Sequence, residues 1–310
     1  MIVTLTVNPA IDRTISVDHL AFEDRAYIIS TRESPGGRGI NSSHVIHSFG
    51  GETIAVLTSG GKAGRRLQRR LSDCGYQIRI APVENETRTN LTITDQRGLT
   101  VNLNEKGPEI AKAELAGIES AVRECLNGAG WLLVCGSLPP GVPASFYGKL
   151  IALARKRKVR TLLHASGDAL REGIKARPSV AAPNQSEAER LLERSLLTRP
   201  HYLEAAQRIR EMGPESVVLS LASRGAVAAF ADGLYEAIPP PIDAVCPIGS
   251  GDALTAAYAW RMEQPRANGA DALRWGVAAG TASARLPGMN FATLEQTEEI
   301  YRQVEVRRVE

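Results

Sequence analysis

The sequence predicts an α/β fold with a mainly parallel central sheet, flanked by helices, and a small second sheet. Three observations indicate this fold: short apolar runs rich in β-branched residues, helix-period segments that alternate with these runs, and two segments in which polar and apolar residues alternate. Nearly continuous apolar strands separated by helices are typical of a parallel sheet that is covered on both faces.

The predicted elements of the main sheet alternate along the chain. The strands are the apolar runs at residues 2–7, 53–58, 131–136, 159–165 and 216–221. The clearest helix-period segments are residues 40–49, 109–126, 143–157 and 202–212, and several consecutive helices are expected from Leu254 onward. In such sheets ligands bind beyond the carboxyl ends of the strands, so the polar residues that follow each strand are the candidates for function.

Two segments interrupt this pattern. Residues 13–31 and 87–107 alternate apolar with polar side chains and contain turn residues, as half-exposed antiparallel strands do. We expect them to form a small β-sheet lid inserted into one domain that spans residues 1–310.

Composition excludes several classes of protein. The net charge is +3, from 37 basic and 34 acidic residues, and is too small to indicate a nucleic-acid partner. The basic runs at 64–70 and 154–160 have helical spacing and no interleaved aromatic residues, so they are predicted to be solvated helix faces. The chain has no run of about 18 apolar residues and no signal-peptide pattern at its start, which predicts a cytoplasmic protein without a membrane partner.

Common cofactor and metal motifs are not found. The four cysteines, Cys74, Cys125, Cys135 and Cys246, form no C-x-x-C pair, and reduced thiols are expected. The stretch "SGGKAG" lacks the first glycine and the Ser or Thr of a P-loop, and no G-x-G-x-x-G is present. Neither a metal-binding histidine pair nor a dinucleotide fold is therefore predicted.

The stretch "CPIGSGDALTAAYAW", residues 246–260, places a glycine-rich turn and a carboxylate at the start of an apolar helix. The N–H groups of Gly249, Ser250 and Gly251 would point out of the turn and form an anion site, with Asp252 beside it as a candidate base. A simpler interpretation is that Asp252 favours the first helical turn electrostatically and that the glycines only make a tight turn.

Three further turns carry polar residues just after a predicted strand or just before a predicted helix. In "NPAIDR", Asp12 could accept two sugar hydroxyls, although a solvated carboxylate after an Asn-Pro turn is an equal alternative. In "SPGGRGINSS", Gly37, Arg38 and Asn41 surround a second glycine-lined helix start. In "CGSLPPGVP", Ser137 lies in a rigid turn whose N–H groups would suit a phosphate.

Asn184 and Glu187 lie three residues apart at the start of another predicted helix, so both project from the same side of its first turn. This geometry suits a hydrated Mg²⁺ ion. It suits a capping box equally well, in which Asn184 caps the helix and Glu187 reaches back to it.

Seven motifs together carry a resemblance that no single motif would. They are "NPAID", "PGGRGIN", "ETRTNL", "GSLPPGVP", "PNQSE", "LSLASRGA" and "IGSGDAL". Their order and spacing resemble those of the PfkB branch of ribokinase-like sugar kinases over nearly the whole chain. The resemblance implies a ribokinase-like fold and an ATP-dependent phosphorylation of a sugar phosphate, with Mg²⁺.

The resemblance also implies roles for individual residues. Asp252 would be the catalytic base beside the phosphate site of Gly249, Ser250 and Gly251, and Glu187 would hold Mg²⁺ through a coordinated water. Sugar-binding residues would be Asp12, Gly37, Arg38, Asn41 and Ser137, with Arg88 on the substrate phosphate. Residues at the nucleotide would be Asn184, Ser220, Ala222 and Gly225.

Several positions depart from the usual pattern of that family. Arg38 stands where a lysine is usual, Ser250 where an alanine is usual, Ala182 in place of a lysine and His164 in place of an aspartate. The pair Ala222-Ser223 replaces a glycine-containing start of the adenine loop. The loss of the lysine and the aspartate puts turnover and substrate identity in question.

The expected substrate is a ketohexose monophosphate: fructose 6-phosphate, tagatose 6-phosphate or fructose 1-phosphate. Arg25, Arg38 and Arg88 are expected near one mouth, where they would favour a dianion. The alternatives are a sensor that binds sugar phosphate or nucleotide with poor turnover, and a kinase of an unphosphorylated sugar or nucleoside, which Arg88 disfavours. A homodimer formed through the lid is also predicted.

Overall fold

The computed structural model describes residues 1–21 and 24–309. Its larger sheet has ten strands, in the order β14-β13-β12-β11-β10-β9-β8-β1-β4-β5. Strands β5 to β11 of this order pair in parallel, and β12, β13 and β14 continue the sheet antiparallel at one edge. The strands are β1 Ile2–Thr6, β4 Thr53–Ser59, β5 Gln77–Pro82, β8 Trp131–Cys135, β9 Arg160–His164, β10 Val180–Ala181, β11 Ser216–Ser220, β12 Ala226–Phe230, β13 Gly233–Ile238 and β14 Glu305–Val309.

Helices cover both faces of this sheet. They are α1 Arg38–Ser48, α2 Gly61–Leu71, α3 Lys112–Cys125, α4 Phe146–Lys156, α5 Gly167–Lys175, α6 Gln185–Leu192, α7 Arg199–Glu211, α8 Ser250–Glu263, α9 Gly269–Ala284 and α10 Leu294–Tyr301. Buried side chains of α3 to α7 form one apolar layer, and those of α1, α8, α9 and α10 form the other. Both faces of the parallel strands are therefore buried, which explains why their sequences are apolar throughout.

The small sheet has the order β3-β2-β6-β7, from β2 Ala10–Val17, β3 Ile28–Gly36, β6 Arg88–Asp95 and β7 Thr100–Asn104. Its register gives it two different faces, because residues directly opposite each other share a face. The polar face contains Asp12, opposite Ser34 and Asn90. The apolar face contains Ile15, Ile93 and Val101.

The root of the lid is anchored in the main domain. Ile11, which is fully buried, packs with residues of α1, β4 and α2, among them Ile40, Leu57 and Leu67. Its neighbour Asp12 lies on the opposite side of the strand. One residue of β2 thus fixes the strand to the core, and the next residue projects from the polar face of the lid.

The predicted fold is confirmed, and the differences are local. The five predicted strands of the main sheet and the four predicted helices are all present within a few residues of their predicted ends. The helices from Leu254 onward are present, but the first begins earlier, at Ser250, and the chain ends in a strand, β14, rather than in helix. Strand β14 has only five residues and is largely exposed, so it lacks the apolar pattern that would have revealed it.

The basic run at 64–70 was predicted to be a solvated helix face, but in the structure it also contacts the lid. It lies in α2, where Arg66 and Arg70 contact the carboxylate of Glu33 on β3 at 3.7 and 3.0 Å. Arg13 on β2 donates to the same carboxylate at 2.6 Å. The run therefore tethers the lid to the main domain through charge.

Two simpler expectations can be compared with the structure. Within the described chain all four cysteines are free, as predicted. Among residues 1–21 and 24–309, no helix is both long and apolar enough to cross a membrane.

Candidate active site

Helix α8 begins in a turn that leaves two amides unused. Gly249 caps the helix with φ 85°, a left-handed conformation that favours glycine. The Ser250 amide donates to the Pro247 carbonyl at 3.2 Å, so this predicted donor is engaged inside the turn. In the described part of the chain the amides of Gly249 and Gly251 donate no hydrogen bond, and the buried Oγ of Ser250 has no partner. Unsatisfied donors at a helix start are suited to bind an anion.

Asp252 lies directly behind this turn and is 7% exposed. Its Oδ2 accepts a hydrogen bond of 2.7 Å from Nδ2 of Asn41 on α1. Burial raises the pKa of Asp252 to about 6, while the charge of Arg38 and the bond from Asn41 act in the opposite direction. A carboxylate with this pKa is still ionised at neutral pH and is a stronger base than an exposed aspartate. The simpler role, in which Asp252 only favours the first helical turn, does not require such burial.

Arg38 connects the base to a second carboxylate. Its Nη2 donates to Oε1 of Glu187 at 2.8 Å, and its Nη1 lies 3.5 Å from the carbonyl oxygen of His164. Burial alone would lower the pKa of Arg38, but the carboxylates of Glu187 and Asp252 raise it above its ordinary value. Arg38 is therefore a partly exposed cation held close to the two carboxylates, and its role in binding sugar stays a prediction.

The capping-box interpretation of Asn184 and Glu187 is confirmed. Asn184 Oδ1 accepts from the Glu187 amide at 2.8 Å, and Glu187 Oε2 accepts from the Asn184 amide at 2.9 Å. With Oε1 bound to Arg38, both oxygens of this buried carboxylate already have a partner. No group of three or more His, Cys, Asp or Glu residues suited to a metal ion occurs in the described ranges. The donors therefore fit a hydrated ion held mainly by phosphates, and not a cage made by the protein.

Asp12 is enclosed at the root of the lid. Its Oδ1 accepts a bond of 2.8 Å from Nδ2 of Asn90 on β6, and burial raises its pKa above the ordinary value while Asn90 and Arg88 lower it. A Cβ at Gly36 would overlap the carboxylate of Asp12, so any larger residue there would displace this carboxylate from its position. Gly37 follows with φ 133° and begins α1. The carboxylate is thus held at the point where lid and main domain meet, as a sugar-binding role requires.

A second polar cluster brings together Arg88, Asn8 and Ser137. Arg88 donates from Nη1 to the Glu105 carbonyl at 2.9 Å and from Nη2 to the Asn8 carbonyl at 3.1 Å. Asn8 Nδ2 in turn donates to Ser137 Oγ at 3.2 Å. Nε of Arg88 and Oδ1 of Asn8 are buried and without a partner, and burial lowers the pKa of Arg88 although Asp12 and Glu105 raise it. Buried polar atoms without a partner are rare, and this cluster holds two of them, one donor and one acceptor.

Within one copy of the chain, Arg25 lies away from this cluster. It lies in the connection between β2 and β3, whereas Asp12 pairs with Ser34 near the other end of that hairpin. The prediction that Arg25 shares a mouth with Arg38 and Arg88 was wrong for this copy, because sequence proximity to a strand does not say which end of the hairpin a residue occupies.

The residues expected at the nucleotide lie together at the end of β11. Ser220 forms a parallel bridge with Asn184, which joins β11 to the start of α6. Ala222 and Gly225 close a short turn through a bond of 3.1 Å from the Gly225 amide to the Ala222 carbonyl, and both have positive φ, 53° and 86°. A Cβ at Gly225 would lie 2.0 Å from the Ala237 carbonyl oxygen, so the turn needs glycine there.

Three residues of the site were not found from the sequence. Asn90 bonds to Asp12, and Thr255 and Met289 approach Asp252 and Asn41. Strand alternation after Arg88 would have placed Asn90 on the same face, and helical spacing after Asp252 would have suggested Thr255. Nothing in the sequence near Met289 indicates its contact with Asn41, 248 positions away.

Unpaired helix amides beside a buried base suit the transfer of a phosphoryl group to a hydroxyl, so fold and site together define a kinase. A model of the pfkB family of carbohydrate kinases matches residues 5–296. The ATP-dependent 6-phosphofructokinase isozyme 2 of Mycobacterium tuberculosis is 31% identical over 308 residues, covering 97% of this chain and 88% of that one.

Two solved structures are similar over nearly their whole length. Phosphofructokinase-2 from Escherichia coli in complex with fructose-6-phosphate has a TM-score of 0.89 and 28% identity, covering 97% of this chain and 98% of that one. A possible 1-phosphofructokinase from Thermotoga maritima has a TM-score of 0.90 and 25% identity, covering 100% of both chains. The chain belongs to the pfkB family of carbohydrate kinases. The family and these relatives confirm the predicted enzyme class, an ATP-dependent sugar-phosphate kinase.

The raised pKa of Asp252 predicts the acid side of the pH profile. As the pH falls through about 6 the carboxylate takes up a proton and can no longer accept one from substrate. We therefore expect kcat/KM to fall below about pH 6 and to be independent of this group well above it. Initial rates of ADP release between pH 5 and 8 measure it. A profile that stays flat down to pH 4.5 would contradict the role of Asp252 as base.

The matching substitution is Asp252→Asn, which keeps the size of the side chain. We expect kcat to fall at least ~100-fold while nucleotide affinity stays close to that of the wild type, as for the loss of a general base. The nucleotide Kd by calorimetry and the Tm are the controls. Turnover near the wild-type value in a folded variant would refute the assignment.

Proposed function

We propose that the enzyme transfers the γ-phosphate of ATP to a hydroxyl of a ketohexose monophosphate and forms the bisphosphate. The observation that carries this substrate class is the guanidinium of Arg88, which is half-buried at the root of the lid, near the charge of Asp12 and in a cluster with Asn8 and Ser137. A guanidinium matches a phosphate dianion in charge and geometry, and a neutral sugar would leave it uncompensated.

The two ends of the substrate would then have different partners. Arg88 and Ser137 bind the phosphate that the sugar already carries. Asp12 and the backbone at Gly37 bind ring hydroxyls, and Asn41 acts mainly by holding Asp252, to which it donates. Because Asp12 is fixed by Asn90, the sugar meets a site whose polar groups are already oriented.

Asp252 performs the proton transfer. Its carboxylate accepts the proton of the attacking hydroxyl as the new P–O bond forms and the bond to ADP breaks. The free amides of Gly249 and Gly251 donate to the oxygens of the transferring group, where preorganised donors are worth about 3 kcal/mol each in comparable anion sites. Ser220, Ala222 and Gly225 would line the nucleotide, and Asn184 would stand between nucleotide and metal.

Mg²⁺ would neutralise charge on the phosphates of the nucleotide when bound. Glu187, held by Arg38 and by the capping box, would contact it through coordinated water. The contribution of the protein is to hold this carboxylate in a fixed position in the first turn of α6.

Among ketohexose monophosphates we favour fructose 6-phosphate or tagatose 6-phosphate over fructose 1-phosphate. The relatives named 6-phosphofructokinase and the neighbour in complex with fructose-6-phosphate support the first of these, and the possible 1-phosphofructokinase keeps the third open. A sensor with poor turnover remains the second candidate, because His164 and Ala182 stand where an aspartate and a lysine are usual.

The substrate prediction rests on Arg88. We expect turnover with a ketohexose monophosphate but not with free fructose, and Arg88→Ala should lower kcat/KM for the phosphorylated sugar about 10- to 100-fold, mainly through KM, because a charge-assisted hydrogen bond is lost. Both the substrate range and the kcat/KM of the variant can be measured by steady-state ADP release. The substrates are fructose 6-phosphate, tagatose 6-phosphate, fructose 1-phosphate and fructose.

The matched control is Arg97→Ala, which removes an exposed guanidinium from the far end of the same hairpin and should leave the kinetics unchanged. Equal use of free fructose, or an unchanged KM for every phosphate in Arg88→Ala, would reject the substrate class. Binding of sugar phosphate by calorimetry without ADP above the ATPase blank would favour the sensor.

The Mg²⁺ proposal predicts a specific effect of Glu187→Gln. Loss of the charge should raise the Mg²⁺ concentration needed for half-maximal activity, whereas Glu189→Gln, two residues further along the same helix, should not. Mg²⁺ titrations at saturating ATP and sugar phosphate measure this. A lower Tm with an unchanged titration would mean that Glu187 serves only the helix cap.

The lid supports a proposed homodimer. Its apolar face carries Ile15, Leu91 and Ile93, which are half-buried, and Val101 and Leu103, which are 38% and 51% exposed. Strands β3 and β7 are the edges of this sheet, with unpaired backbone groups along them. A second copy of the same sheet would cover these side chains by a two-fold contact.

Sedimentation at assay concentration should therefore show a dimer. Leu103→Glu places a charge on the apolar face and should give a monomer, whereas Asn102→Asp, on the other face of the same strand, should not. A wild-type monomer at these concentrations would reject the proposal.

A further inference from the structure

One buried titratable group has no part in the mechanism so far. His164, the last residue of β9, is 5% exposed, and its imidazole lies against the first turn of α8. Nδ1 is 3.4 Å from Oγ1 of Thr255 and 3.7 Å from Oδ1 of Asp252. A side chain of this kind, next to the base, is expected to affect how the base is held.

The surroundings assign the protonation state of this ring. Burial, together with the charge of Arg38, holds the pKa of His164 well below its ordinary value, so the ring is neutral and carries one N–H. With the proton on Nε2, the lone pair of Nδ1 would face the carboxylate of Asp252. With the proton on Nδ1, the N–H points toward Asp252 Oδ1 and Thr255 Oγ1.

Thr255 supports the second arrangement. Its hydroxyl lies 3.1 Å from the carbonyl oxygens of Gly251 and Asp252, to which it can give its single hydrogen. The lone pairs of Oγ1 are then available to accept from Nδ1 of His164. With the proton on Nδ1, the ring donates to Thr255, and the same N–H faces Oδ1 of Asp252 at 3.7 Å, where it acts through its dipole rather than through a hydrogen bond.

Other groups around Asp252 act on its charge as well. The charged or titratable side chains that face it are Arg38 on α1, Asp12 on β2, Cys135 on β8 and Glu187 on α6, with the neutral donor Asn41 on α1. Asn41 holds Oδ2 only. On the Oδ1 side the nearest polar hydrogen is that of the His164 ring, whose N–H dipole faces the carboxylate at 3.7 Å.

We propose that His164 is a positioning residue, whose Nδ1–H, aligned by Thr255, orients the Oδ1 side of the Asp252 carboxylate and favours its ionised form. The inference rests on the proposed role of Asp252 as base. It assigns a function to a residue that departs from the usual family pattern, since an aspartate at this position would have no hydrogen to offer when ionised.

The test compares two substitutions of His164 by residues that carry a side-chain amide. In His164→Asn the side-chain nitrogen can replace Nδ1, whereas in His164→Gln the amide reaches the position of Nε2. We expect His164→Asn to keep kcat within about threefold of the wild type, and His164→Gln to lose about 10-fold, because the N–H dipole that faces the base is lost. The acid limb of kcat/KM should move to higher pH in His164→Gln only, because the ionised form of Asp252 loses this dipole. Equal effects of the two substitutions would overturn the proposal.

A second measurement does not depend on activity and uses a variant only to assign a signal. In wild-type protein labelled with ¹⁵N-histidine, two-bond ¹H–¹⁵N correlations distinguish the tautomers of the five rings, and His164→Asn identifies the signal. We expect a neutral Nδ1–H form at pH 7. A cation or an Nε2–H form would refute the inference even if the enzyme is active. An Nδ1–H signal in a protein without kinase activity would refute the proposed function and leave the tautomer assignment standing.

Discussion

The structure of the site depends on keeping one buried carboxylate charged. Asp252 is enclosed at the start of α8, where burial by itself favours the neutral acid. Asn41 donates to it, and Arg38 supplies a positive charge. Helices α1 and α8 must therefore lie side by side at their first turns, and each is preceded by a glycine with a positive φ. The charged state of Asp252 and the packing of these two helices therefore depend on each other.

The departures from the usual family pattern are easier to understand as a pair. A lysine replaced by Ala182 removes one positive charge, and an aspartate replaced by His164 removes one negative charge, so the net charge of the site is unchanged. Ala182 is buried in the apolar layer that contains α8, and His164 is a buried neutral ring. Arg38, with Glu187 and Asp252 as neighbours, is then the cation that remains between the two carboxylates.

Much of the fold and of the site could be predicted from the sequence because the responsible signals are local. Parallel strands buried on both faces, glycines at helix starts and the pair Asn184 and Glu187 are each visible within a few residues. The interpretations that failed or stayed open concern which groups meet in space. Arg25 and Arg88 look equivalent in the sequence, but only Arg88 lies at the root of the lid. Asn41 was expected to bind sugar, yet its nearest acceptor is a carboxylate 211 positions away. Strand β14 forms only because β13 offers it an edge.

The adjacent residues Ile11 and Asp12 have a consequence for how the lid can move. Since Ile11 is fixed in the apolar cluster of α1, β4 and α2, bending of the lid must occur further along β2, toward the irregular register at Ser16 and Val17. Asp12 then stays in place whether the outer part of the lid is open or closed. The carboxylate is already ordered in the folded chain, so its orientation adds no entropic cost when the sugar binds. Under the proposed function, motion of the outer lid would then affect how fast ligands enter and leave, and recognition of the sugar hydroxyls by Asp12 would belong to the part of the lid that is fixed to the core.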